Sequence, residues 1–66
     1  MMALVNGKPR LIPDDSTVAS LLKELGLSGM RVAVEVNCRL VPKTKYEEEK
    51  LREGDRIEIV TLVGGG

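Results

Sequence analysis

Three glycines close this chain, and the group they present is a carboxylate: Gly64, Gly65 and Gly66 follow Thr61-Leu62-Val63 directly. A free carboxylate is a poor electrophile, so chemistry at Gly66 requires an enzyme to activate it, most simply as an acyl-adenylate. Glycine suits that use. Without a Cβ, Gly64, Gly65 and Gly66 can thread a narrow channel, take φ values closed to other residues and leave the reacting carbonyl open from both faces. A glycine-rich end with no function has the same composition, since termini are often frayed, and composition alone leaves both readings open.

The other reactive side chains lack partners. There is no histidine, and Ser16, Ser20, Ser28, Thr17, Thr44, Thr61 and Cys38 have no base at a spacing that would activate any of them. Asp14 and Asp15 sit at a helix start, where they suit its positive dipole end. Glu47, Glu48 and Glu49 read as a solvated acidic turn. One cysteine and no histidine exclude a structural zinc site in a monomer. Gly7-Lys8 lacks the preceding glycine and the following Ser or Thr of a phosphate loop. No catalytic residue and no metal ligand is assigned, and the sequence argues against an enzyme.

The elements that must position the tail follow from the hydrophobic pattern. Ala3 to Val5 and Leu11 to Ile12 flank Asn6-Gly7, a hairpin-turn dipeptide. Ser16 or Thr17 can cap a helix whose stripe is Val18, Leu21, Leu22 and Leu25, with Ser20, Lys23 and Glu24 facing away. Gly26 supplies a left-handed stop, with Leu27 placed to fold back on the last turn. The period then changes to two at Val32, Val34 and Val36, a strand with one buried face. Asn37-Cys38 turns the chain into a short strand at Leu40-Val41, which Pro42 ends. From Lys43 to Arg52 the chain is charged and irregular, anchored by Tyr46 and Leu51, and Glu53-Gly54-Asp55 is a turn. A last strand carries Ile57 and Ile59 on one side, Glu58 and Val60 on the other, and runs into the tail. The expected fold class is α+β, a mixed sheet with one helix on one face. A chain of 66 residues closes a single core, so the expected organisation is one domain over 1–63 and a flexible glycine tail at 64–66.

Ile59 to Gly66 carries no charged side chain in a chain that is 30% charged. Strand alternation turns Val60 and Leu62 away from the face that buries Ile57 and Ile59. Either neighbouring strands cover them, or they form a contact patch beside a tail that is handed into another protein. Lys plus Arg and Asp plus Glu both number 10 and interleave, which sets up no field for nucleic acid or anionic lipid. No apolar run approaches the roughly 20 residues of a membrane span, and the lone Cys38 fits a reducing compartment. A soluble cytoplasmic protein is expected.

Three stretches go beyond composition: Val32-Ala-Val-Glu-Val-Asn-Cys-Arg-Leu-Val-Pro42 with Tyr46, Leu51-Arg-Glu-Gly-Asp-Arg-Ile-Glu-Ile-Val60, and the closing Gly64-Gly-Gly66. Together with Asn6-Gly7 and Thr17-Val18-Ala-Ser-Leu-Leu22, they closely resemble the sulfur carriers of the ThiS family, in order and over essentially the whole chain. The resemblance implies a ubiquitin-like β-grasp. It implies that an E1-like enzyme uses ATP to adenylate the Gly66 carboxylate. Sulfur from a donor such as a cysteine desulfurase then replaces AMP, and the thiocarboxylate gives its sulfur to thiazole synthase for the thiazole ring of thiamine. On this reading the protein holds no cofactor of its own. Gly66 bears the sulfur, Gly65 completes the tip, and Val60, Leu62, Val63 and Gly64 meet the partners. Cys38 departs from the family, which usually has Gly after Asn, as does Tyr46, where Trp is common. The small subunit of molybdopterin synthase, a ubiquitin-like protein modifier and a plain interaction domain are the alternatives.

Overall fold

The computed structural model describes residues 1–62. Strands β1 (Met2–Val5) and β2 (Lys8–Leu11) open the chain. They join through Asn6 and Gly7 at φ 51° and 83°, the two positive angles of a type I′ hairpin turn. The second strand starts at Lys8 rather than at the apolar run Leu11–Ile12 that the sequence suggests. A two-residue turn leads straight into its return strand, and β2 lies at the sheet edge, where Pro9 is tolerated. Leu11 is therefore 74% exposed, and Ile12 beyond it is the buried residue.

Helix α1 spans Val18–Glu24. Its start is a reciprocal cap: Ser20 N–H donates to Thr17 Oγ1 at 3.1 Å, and Thr17 N–H donates to Ser20 Oγ at 2.8 Å. Ser20 thus faces away from the core, as expected, but works as half of the capping box. Asp14 and Asp15 fall in the preceding turn, and no acidic residue occupies the first helical turn. The orphan N–H groups there are satisfied instead by the charged loop, Val18 N–H by the Glu49 carbonyl at 3.1 Å and Ala19 N–H by the Tyr46 carbonyl at 2.9 Å. At the other end Gly26 sits at φ 74°. Leu27 N–H bonds the Leu22 carbonyl at 2.8 Å and Gly26 N–H the Lys23 carbonyl at 3.1 Å, the two bonds of a Schellman stop. Leu25 is the C-cap and only partly buried, so the stripe ends at Leu22.

Three more strands complete the sheet: β3 (Val32–Val36), β4 (Arg39–Val41) and β5 (Arg56–Thr61). Between β4 and β5 the loop forms a short 3₁₀ turn at Lys43–Lys45 and a bridge from Lys50 back to Thr17. The sheet order is β2-β1-β5-β3-β4, with β1 and β5 parallel and the other pairs antiparallel. Val18, Leu21 and Leu22 of α1 pack on Ala3, Val34, Val36, Val41, Ile57 and Ile59 of one sheet face, with Ile12 and Leu51 closing the sides. Both expected loop anchors hold, Leu51 fully buried and Tyr46 packed against the core.

Each stripe side chain contributes about 1.5–3 kcal/mol on burial. Leu22 is 5% exposed, and Leu22→Ala should cost about 2–5 kcal/mol, comparable to the roughly 3–5 kcal/mol that a core of this size supplies. Much of the variant should be unfolded by far-UV circular dichroism, and an unchanged urea midpoint would contradict this packing.

Candidate functional site

The strand that leads to the tail is the middle of the sheet. β5 lies between β1 and β3, and its backbone groups bond alternately to the two sides. On the β3 side Asn37 N–H donates to the Arg56 carbonyl and Leu62 N–H to the Arg31 carbonyl, both at 2.8 Å. On the β1 side Leu4 N–H donates to the Asp55 carbonyl at 2.9 Å and Asn6 N–H to the Ile57 carbonyl at 2.8 Å.

Two asparagines extend that hold with their side chains. β1 ends at Val5, but the Asn6 amide continues its ladder, Ile59 N–H donating to Oδ1 at 2.7 Å and Nδ2 donating to the Ile59 carbonyl at 3.2 Å. At the opposite end Asn37 Oδ1 accepts from Arg56 N–H at 3.0 Å and Nδ2 donates to Asp55 Oδ1 at 2.9 Å, while Asp55 Oδ2 accepts from Arg52 N–H at 2.8 Å. Sequence reasoning took both asparagines as turn formers and missed the second task. The available signal was that Asn occupies the first turn position twice, the residue that combines tolerance of positive φ with an amide able to mimic a peptide group.

Ile57 and Ile59 are buried, whereas Val60 is 58% and Leu62 50% exposed, so neighbouring strands do not cover these two. Val60 lies opposite Ala33 on the sheet face away from the helix, one row beyond Glu58 opposite Glu35 and Leu40 opposite Glu35. Leu62 borders a shallow cavity of about 180 Å³ with Met30, Arg31, Val32, Lys43 and Tyr46. The Glu35–Glu58 juxtaposition depends on register and escaped the sequence reading. Like charges directly opposite destabilise a strand pair, and no ion pair among the described residues offsets them. Val60, Leu40 and Ala33 around two unpaired carboxylates make an apolar face with a negative centre.

The remaining site residues of the sequence reading, Val63, Gly64, Gly65 and Gly66, lie outside the described residues, as does the expected domain boundary at 63/64. Glu48 pairs with Lys45 at 3.8 Å and Glu49 with Arg39 at 3.7 Å. Among the described residues no three potential ligands gather as a metal site, and no helix is long and apolar enough to cross a membrane.

A five-stranded mixed sheet gripping one helix, with its central strand leading to the C-terminal glycines, is a ubiquitin-like β-grasp. The ThiS family model matches residues 3–66, and the chain belongs to that family. A crystal structure of the thiamine biosynthesis protein ThiS from Geobacter metallireducens superposes with a TM-score of 0.85 at 29% identity, over 100% of both chains. The sulfur carrier protein ThiS of Bacillus subtilis is 39% identical over 66 residues, 98% of this chain and 100% of that protein. A thiazole synthase of Paramagnetospirillum magneticum is 42% identical over 66 residues, where this chain spans 20% of the relative's length.

Cys38 is an exposed free thiol at φ 68°, after Asn37 at φ 52°. Its turn is type I′, like that at Asn6-Gly7, but without the glycine. A left-handed Cys costs about 1–2 kcal/mol, and the extra unfolded-state freedom of Gly returns about 0.4–1 kcal/mol. Cys38→Gly should therefore raise stability by up to about 1.6 kcal/mol in urea denaturation. A lowered midpoint would show that the thiol makes a stabilising contact.

Proposed function

We propose that this chain is a sulfur carrier, acting as substrate rather than catalyst. An E1-like enzyme joins the Gly66 carboxylate to the AMP portion of ATP and releases pyrophosphate. The outer sulfur of a persulfide on a donor such as a cysteine desulfurase attacks the acyl carbon and AMP leaves; a second thiol then cleaves the S–S bond of the resulting acyl disulfide, leaving a thiocarboxylate on Gly66 and a disulfide on the donor side. That terminal sulfur is then given to thiazole synthase for the thiazole ring of thiamine, in the cytoplasm. The observation that carries this reading is the family match, which extends from residue 3 to the last glycine. Full-length likeness to a sulfur carrier of matching length supports it. So does the thiazole synthase that contains a ThiS-like stretch within a much longer chain, since carrier and acceptor then share one polypeptide.

The parts divide the labour by chemistry. Gly64, Gly65 and Gly66 reach the activating site and Gly66 takes the adenylate, then the sulfur. Val60 and Leu62, exposed beside that tail, and Val63 with them, dock the partners.

Incubated with ATP and the activating enzyme, the protein should release pyrophosphate, and a variant lacking Gly65 and Gly66 should fold normally and release none. Undiminished activation of the truncated variant would sink the carrier reading. The outer face gives a second test. Glu58→Lys places a cation opposite Glu35 and should stabilise the free protein by about 0.2–1 kcal/mol. It should also raise the apparent KM for the activating enzyme, because an apolar face with a negative centre suits a cationic partner. A rise in melting temperature with an unchanged KM would remove that face from the contact.

A further inference from the structure

The alternation of hydrogen bonds along β5 leaves one position open. Residues that bond toward β3 are Arg56 at the start of the strand and Leu62 just past its end, and by register Glu58 and Val60 between them. Ile57, Ile59 and Thr61 point their N–H and C=O groups the other way. Ile57 meets β1 and Ile59 meets the Asn6 side chain. Thr61 comes next on that side: opposite Val32 it occupies a position of the β3 ladder whose backbone groups point away from β3, the β1 register has ended at Val5 opposite Ile57, and outside the strand ladders no described group bonds its N–H or C=O. The reason is topological: the chain leaves β1 at the Asn6-Gly7 turn, while β5 runs on to Thr61. A central strand therefore becomes an edge strand for its last step, immediately before the tail.

We propose that this open edge of β5 at Thr61 is a strand-addition site, filled by an extended backbone segment of the enzyme that adenylates the terminal carboxylate. The proposal rests on the carrier reading and says how the tail is guided. The activating enzyme is the partner the chemistry requires whatever the final sulfur acceptor, because a carboxylate must be activated before any transfer. Backbone pairing at Thr61 fixes the direction in which the following residues leave the domain. Pairing of this kind is made by backbone groups, so at Thr61 recognition needs no side chain. The Asn6 amide gives the added strand a defined starting point, since it closes the ladder at Ile59 and not beyond.

Proline at 61 removes the N–H that the fold does not use and sets its ring against an incoming strand, while the Leu62 bond to Arg31 is on the other side. Thr61→Val, which keeps the N–H and the branched shape, is the comparator. In ATP–pyrophosphate exchange with the adenylating enzyme, Thr61→Pro should lose roughly tenfold or more in kcat/KM relative to Thr61→Val, the scale of leaving one partner group unpaired, at a similar melting temperature. In the wild-type protein the Thr61 amide should exchange with deuterium rapidly when free and slow by roughly tenfold or more in the complex, as a newly bonded amide does. Equal kcat/KM for two folded variants, or a Thr61 amide that stays fast in the complex, overturns the edge assignment. If Thr61→Pro does not fold, the amide measurement on the wild-type protein decides alone. Absence of exchange activity in the wild-type protein would overturn the carrier reading instead, so the two failures are distinguishable.

Discussion

The grip on β5 is the constraint from which the rest of the structure follows. This strand has a parallel neighbour on one side and an antiparallel one on the other, and it supplies Ile57 and Ile59 to the centre of the core. The hairpin at either flank exists to bring a neighbour alongside it, and α1 exists to cover the face they make together. Both hairpin turns then return an asparagine side chain to the same strand, Asn6 at Ile59 and Asn37 at Arg56. The Asn6 amide, partly buried, costs little because it is paired, and removing it would orphan the Ile59 N–H at a cost of about 1–3 kcal/mol, whereas the exposed Arg56 N–H served by Asn37 could turn to water.

Much of this was readable from the sequence because it rests on local chemistry. The stripe Val18, Leu21, Leu22 and the alternation Val32, Val34, Val36 report burial through spacing alone, and all six lie in or against the core. Asn6-Gly7, Asn37 and the Gly26 stop report backbone angles through residue type and take the positive φ values these types suggest, while Cys38 takes one against its type. What escaped was set by tertiary register. Nothing in the local sequence says that Glu35 lies opposite Glu58. Nor does it say that the Glu49 and Tyr46 carbonyls, and not the Asp14 or Asp15 carboxylates, serve the start of α1. Leu11 and Ile12 mislead for the same reason, since only the edge position of β2 decides which of them is buried.

The candidate site was readable in a different way, through what it lacks. An uncharged run in a highly charged chain and three glycines after it are departures from a background, and they single out the proposed working end without any knowledge of the sheet. The exposure of Val60 and Leu62 then follows from strand alternation, because a residue that shares the outer face with Glu58 cannot also join Ile59 in the core. The open position at Thr61 has no such signal. It arises because β1 stops at Val5 while β5 continues to Thr61, a difference in length between two strands far apart in sequence.

Placing the working end on the central strand also has a mechanical logic. A tail drawn into another protein transmits any pull to the element it continues. Were that element an edge strand, a single row of hydrogen bonds would resist, and strands held by few bonds open at low free energy. Here the pull falls on a strand bonded along both sides as far as Ile59 and on one side at Leu62. The hold thus tapers toward the tail, two-sided where Ile57 and Ile59 build the core and single-sided at the proposed point of partner access. A domain with so small a core has little stability to spare, and this taper lets its last residues be handled without loosening the rest.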